Sequence, residues 1–252
     1  MYPVLIEIGP YTIYSYGLFI ALGLALGLWI WQDEARQQGL QANLLPGLAL
    51  MPLFVWLLGA RAAFLLQQPG LLAQNPEQFL YIWHGGLNVW AGVAPALLVL
   101  VLQLKIRRES LLKWGDALAF ALASGLAVGY IGHFVSGVSY GKPTDFALAV
   151  AYTKLDSPAP LLVPLHPTQI YYSLAGVLVY TLLNLTRTKT NRPGQKLGLF
   201  LMLYFSLYCI ISQLRGDGQP LLWGLLWQQW LAVLLALLGL WMYLRGKETR
   251  HA

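Results

Sequence analysis

The stretch that decides the fold runs from Trp114 to Asp145 and reads WGDALAFALASGLAVGYIGHFVSGVSYGKPTD. Up to Ser136 it is apolar with few interruptions, and as a helix it is long enough to cross a hydrocarbon core of roughly 30 Å. Glycines at 125, 129, 132 and 137 give that helix a small-residue face and allow a tight turn at its end. Beyond Ser136 the chain turns polar and rich in turn formers, ending in Tyr140-Gly141-Lys142-Pro143-Thr144-Asp145. An apolar helix therefore leaves the membrane here into a glycine-rich loop.

The rest of the chain repeats the pattern. Of 252 residues, 58% are hydrophobic and only 10% charged, where a soluble domain carries about 25% charged residues. Seven apolar spans are expected, near residues 12–31, 45–66, 85–104, 114–136, 167–185, 197–214 and 222–244. The net charge of +6 is not a nucleic-acid signal, because the cations segregate by loop. Arg36, the 105–113 cluster, the 187–196 cluster and the C-terminal Arg245, Lys247 and Arg250 fall on one side, and only Lys142, Lys154 and Arg215 on the other. The positive-inside rule puts the first set in the cytoplasm, with the N-terminus outside and the C-terminus inside. The expected fold is an all-α polytopic membrane bundle of about seven transmembrane helices, forming one integral-membrane domain over residues 1–252. Residues 137–166, with Pro143, Pro158, Pro160 and Pro164, form a periplasmic or extracellular loop or small cap. The first eleven residues lack the basic start of a cleavable signal peptide, so the first span is expected to stay. Cys209 sits alone in an apolar run, which excludes a disulfide framework and reads as a small apolar filler. No metal-ligand spacing or nucleotide motif occurs, and no cofactor is expected.

Polar groups inside spans are costly and mark candidate sites. Arg61, in Gly59-Ala60-Arg61-Ala62-Ala63, either lines a wet cavity or pairs with a buried acid such as Asp116. Its small neighbours let another helix approach. Asp116 also suits a helix N-terminus. His133 is either a hydrogen-bonded interfacial residue, a headgroup contact or a base. His166-Pro167-Thr168-Gln169 opens the fifth span, where Pro favours a helix start and His166 and Gln169 face the outer interface. Tyr16, Tyr171, Tyr172, Tyr204 and Tyr208, with Trp83, Trp223, Trp227 and Trp230, fit aromatic belts at the membrane surface. Arg215 lies on the side that should be poor in cations.

These residues also carry a resemblance. Gly129 to Asp145 is similar to the signature loop of bacterial prolipoprotein diacylglyceryl transferases, with Tyr130, His133, Ser136 and Val138 where the family has Arg, Asn, Asn and Glu. Tyr16-Gly17-Leu18, Gly59-Ala60-Arg61 and the Asp116 position resemble family motifs in order. The segment Trp83 to Trp90 resembles a glycine-rich family motif, with Trp90 in place of its His. His166-Pro167-Thr168-Gln169-Ile170-Tyr171 resembles H-P-S-Q-L-Y, with Leu165 for Arg and Tyr172 for Glu. Tyr204 to Arg215 resembles the sixth family helix, with Tyr208 for an inner Arg and Ser212 for Glu. Gln229 resembles the Gln that opens the last helix.

The resemblance implies transfer of a diacylglyceryl group from phosphatidylglycerol to the lipobox cysteine of prolipoproteins, in the bacterial plasma membrane. The partners implied are phosphatidylglycerol, prolipoprotein signal peptides and the bilayer, with no nucleic acid. Such chemistry needs a base to make a thiolate and cations or donors to hold phosphate. The candidates for catalysis are His133, His166, Tyr16 and Tyr204, with the shifted His84 as a further base. Arg61, Tyr130, Lys142, Gln169, Tyr208 and Arg215 are the headgroup candidates. Gly129, Gly132, Gly137, Gly141 and Asp116 shape the site. The expected cavity opens sideways to lipid, with Arg61, Tyr16 and Tyr204 near the outer leaflet and the Gly129–Asp145 loop over them. The alternatives are a member that binds lipid or lipoprotein precursors without turnover, and one with altered transfer chemistry.

Overall fold

The computed structural model describes residues 4–8, 11–68, 70, 76–79, 86–188, 192–218 and 224–248. Trp83, His84, Lys189, Trp223 and Arg250 lie outside the described residues. Strands β1 (Val4–Ile8) and β2 (Tyr11–Tyr14) pair antiparallel. Seven helices follow among the described residues: α1 (Ser15–Gln37), α2 (Leu45–Leu66), α3 (Val89–Ile106), α4 (Leu111–Ser136), α5 (Thr168–Leu185), α6 (Gln195–Ser212) and α7 (Trp227–Glu248).

Six of these helices, all but α5, are long and apolar enough to cross a membrane. In α5 the hydropathy is lowered by Gln169, Tyr171, Tyr172 and Asn184. The bounds differ from the expected ones where a local bond decides the helix start. The first helix begins at Ser15 because residues 11–14 pair with β1. The third begins at Val89 because the Asn88 side chain accepts from the Ala91 amide at 3.2 Å and caps it. The last begins at Trp227, where Gln229 Oε1 accepts from Leu226 N–H at 2.7 Å.

The chain divides into two compact units, one of residues 39–114 and one of the remainder. In the smaller unit α2 and α3 meet at small residues, as the neighbours of Arg61 led one to expect. Gly59 faces the Gly92 Cα, and an added Cβ would lie 3.4 Å from it. Trp56 donates from its indole to Val89 O at 3.1 Å. Most of the α3 surface is apolar and open: Leu98 is 59% and Ile106 81% exposed, as suits a lipid-facing helix.

In the larger unit Ile30, Phe120, Val179, Leu183, Phe200 and Tyr204 bring α1, α4, α5 and α6 around one core. Helices α1 and α4 touch backbone to backbone, since a Cβ on Gly23 would lie 2.6 Å from Gly125 O. In lipid the apolar tails compete with apolar side chains, so such close packing and polar bonds hold helices together. Residues 137–166 form a small cap with its own core of Tyr152, Ala159 and Leu165. Pro143 and Val150 both bridge to Leu165, and Tyr152 bridges to Leu161.

Candidate functional site

The larger unit gathers the aromatic candidates at the end of α4. Helix α4 stops at Gly137, whose φ of +80° reverses the chain, and the amides of Gly137 and Val138 both donate to His133 O at 2.9 and 3.1 Å. The His133 backbone is therefore fixed in the last turn. Gly132 lets α1 come close beside it, because a Cβ there would sit 2.7 Å from Phe19 Cβ and 3.2 Å from Tyr16 O. The Tyr16 ring meets His133 edge-on at 5.0 Å between centroids. On its other side Tyr130 lies at 4.9 Å. From Tyr130 the contacts run on to Tyr172, stacked at 4.7 Å, and from Tyr172 to Tyr208 at 5.2 Å. Arg215 closes the row, donating from Nη1 to the Tyr208 hydroxyl at 3.5 Å.

The row thus joins a base candidate to a guanidinium through tyrosine rings. Arg215 is already engaged. Its Nε and Nη2 donate to Asp217 Oδ1 and Oδ2, both at 2.8 Å, in a two-pronged ion pair. Burial alone would lower the Arg215 pKa, but the Asp217 carboxylate outweighs it and the net direction is upward, so Arg215 remains a cation. A fork held in this way has one remaining nitrogen directed at Tyr208 and two shared with a carboxylate.

The loop from Tyr140 to Lys142 is the backbone floor of the site. Lys142 N–H donates to Leu214 O at 2.7 Å and Gly216 N–H to Tyr140 O at 2.9 Å, while His166 N–H donates to Lys142 O at 3.0 Å. Arg215 and His166 are therefore both tied to one short segment. Gly141 permits it, since a Cβ there would sit 2.6 Å from the His166 Cβ. His166 Nδ1 is 3.4 Å from the Tyr171 hydroxyl and its ring faces Phe146. The Lys142 side chain is exposed.

Several expected contacts take another form. Gln169 is fully buried and donates from Nε2 to Val138 O at 2.9 Å and to Tyr152 OH at 3.2 Å, so its amide nitrogen ties the cap to α5. Tyr152 in turn donates to Phe134 O at 3.1 Å. Burial pushes the Tyr152 hydroxyl up to about 12, against the hydrogen bond from Gln169, which lowers it. Tyr204 is buried in the helix core, stacked on Phe200 at 5.4 Å. Asp116, 4% exposed, caps a different helix from its own: Oδ2 accepts from Gly194 N–H at 2.7 Å and Oδ1 from Leu197 N–H at 2.8 Å. Gly129 lies on the close α1–α4 contact, where a Cβ on Gly23 would come within 3.1 Å of its amide nitrogen. In the smaller unit Arg61 is 2% exposed, donates from Nη1 to Gly86 O at 2.9 Å and sits 5.6 Å over the Phe64 ring.

Sequence reasoning missed Ser139, whose Oγ lies 3.2 Å from His133 Nδ1, and Asp217. Both sit in loops with no periodicity to assign a direction, and the near spacing of Arg215 and Asp217 was the one available signal. A second pair was also missed: Glu34, 2% exposed, is bonded by Arg187, which also lies 4.9 Å over the Phe120 ring. Among the described residues no group of three or more His, Cys, Asp or Glu could hold a metal ion.

Residues 3–245 match the family model for prolipoprotein diacylglyceryl transferase. A relative from Symbiobacterium thermophilum is 29% identical over 255 residues, covering 98% of this chain and 95% of the relative. One from Nostoc sp. is 31% identical over 225 residues, covering 86% and 79%. One from Bordetella parapertussis is 28% identical over 250 residues, covering 96% and 94%. Each bears the name phosphatidylglycerol–prolipoprotein diacylglyceryl transferase. The match takes in the hairpin, the first six helices, most of α7 and the loop that carries His133 and Gly141, and the chain belongs to the prolipoprotein diacylglyceryl transferase family.

Proposed function

We propose that this protein transfers the diacylglyceryl group of phosphatidylglycerol to the cysteine sulfur of a prolipoprotein. The support for a working site is the unbroken row of contacts from Tyr16 through His133, Tyr130, Tyr172 and Tyr208 to Arg215. It sets a proton acceptor and a fixed cation in one aromatic-walled site. In this reading His133 takes the thiol proton, and the sulfur attacks the glyceryl carbon that bears the phosphate. The carbon–oxygen bond breaks as the carbon–sulfur bond forms, and glycerol phosphate leaves with the electron pair. Arg215 and the Tyr208 hydroxyl meet the phosphate as its charge grows. Tyr130 and Lys142 are further headgroup contacts in this reading. His166 is a second base beside the same loop, and Tyr16 lines the site beside His133.

The peptide substrate is the signal peptide of a prolipoprotein, and the enzyme sits in the bacterial plasma membrane with its N-terminus outside and residues 137–166 on the outer face. The segregation of cations supports that orientation. Cysteine labelling from outside at residues 105–113 would refute it. One feature favours the alternative of binding without turnover: Asp217 occupies two nitrogens of the Arg215 fork.

Complementation of a strain depleted of its own diacylglyceryl transferase separates the two. Rescue, with a diacylglyceryl mass increment on a reporter lipoprotein, is expected. Membrane expression without the increment, together with retained binding of phosphatidylglycerol, would replace transfer by binding.

A further inference from the structure

Ser139 holds a conformation that its residue type disfavours. Its φ is +58°, in the left-handed region where a Cβ crowds the backbone, and a glycine would adopt it without cost. The surroundings impose it. Thr168, fully buried, donates from Oγ1 to Ser139 O at 2.7 Å, and the turn at Gly137 is closed by two amides on His133 O. Strain of this kind persists only where neighbours over-determine it, and it concentrates at sites where a side chain must be aimed. The Ser139 hydroxyl is 8% exposed as part of its residue and lies 3.2 Å from His133 Nδ1. The serine is thus retained in a glycine conformation with its hydroxyl on the base candidate.

We propose that Ser139 is a positioning residue for His133, its hydroxyl accepting a hydrogen bond from Nδ1–H and so leaving Nε2 as the proton-accepting nitrogen. The inference rests on the reading of His133 as the base. The thiol proton passes to Nε2, the electron pair of the S–H bond stays on sulfur, and the imidazolium keeps its Nδ1–H bond to Ser139. A hydroxyl is a neutral acceptor, so it orients the ring and favours the imidazolium without adding a charge beside the phosphate. The turn and Thr168 carry the aim from α5 through the Ser139 carbonyl to the ring.

The test uses the full-length protein in lipid nanodiscs with nitrogen-15 histidine. The His133 signals are identified by their absence from His133→Gln. Wild type is expected to show the Nδ1–H tautomer, and Ser139→Gly, which suits the backbone, to lose that preference. Steady-state transfer by Ser139→Gly is expected to show kcat lower by about fivefold, the size of one lost hydrogen bond, with KM for lipid unchanged. Ser139→Ala should share the kcat defect and in addition be less stable. An Nε2–H tautomer in wild type, or one unaltered in Ser139→Gly while His133→Gln abolishes transfer, overturns the positioning role alone. Full transfer by His133→Gln overturns the base assignment itself, whatever the tautomer.

Discussion

Replacing Asp116 by alanine removes a cap that joins two helices far apart in sequence. The carboxylate accepts from Gly194 N–H at 2.7 Å and from Leu197 N–H at 2.8 Å, at the free end of α6. Hydrogen bonds to a charged acceptor contribute about 1.5–3 kcal/mol each, and their loss leaves one buried and one part-buried amide without this partner. The two share one acceptor and are not additive, so a loss of about 3–5 kcal/mol is expected. That is a large part of a typical total of 5–15 kcal/mol. Asp116→Asn keeps one acceptor oxygen and is expected to lose about half as much. Reversible unfolding in bicelles, followed by circular dichroism, measures both. Hydrogen exchange then locates the change, which should be fastest at the Gly194 and Leu197 amides. A loss under about 1 kcal/mol for Asp116→Ala, or unaltered exchange at those amides, would refute the capping argument.

Gly23→Ala should destabilise by about 1–3 kcal/mol, since its Cβ would lie 2.6 Å from Gly125 O, while Gly17→Ala, with nothing within 4 Å, should be neutral or stabilising by the same unfolding assay. Asp217→Asn frees the Arg215 fork, and KM for phosphatidylglycerol should fall by about threefold or more in a nanodisc transfer assay. An unchanged or higher KM would show that Asp217 supports the site rather than competing for it. Burial raises the Tyr152 pKa from its ordinary 10.0 to about 12. The folded state then keeps a proton that the unfolded state releases, so this share of stability is full below pH 10 and is lost as pH rises through about 12. Tyr152→Phe should therefore flatten the alkaline fall of the stability profile relative to wild type.

The helices were legible because each is written locally. Apolar runs of bilayer length fix α1 to α4, α6 and α7, and the Pro167 start fixes α5. The ends were less legible, because they depend on single bonds such as the Asn88 cap and the pairing of residues 11–14 with β1. In the site, Tyr16, Tyr130, His133, Tyr208 and Arg215 stood out as polar or aromatic residues in or beside spans, and they do meet. Tyr172 read equally well as a belt residue until its ring was found between Tyr130 and Tyr208. Gln169 read as a headgroup contact, but its nitrogen bonds the cap, and pattern alone does not reveal which way a side chain at a helix start turns.

Composition and spacing by themselves determine that this is a polytopic helical membrane protein, because bilayer thickness sets helix length and every backbone group in lipid must be bonded within its own segment. Only the tertiary structure decided which polar groups serve each other. Ser139 reaches His133 through a left-handed turn, Asp217 closes on Arg215, and Asp116 caps a helix some eighty residues away. Such pairings follow from loop conformation and from which helix faces touch, and neither has a period that a sequence can display.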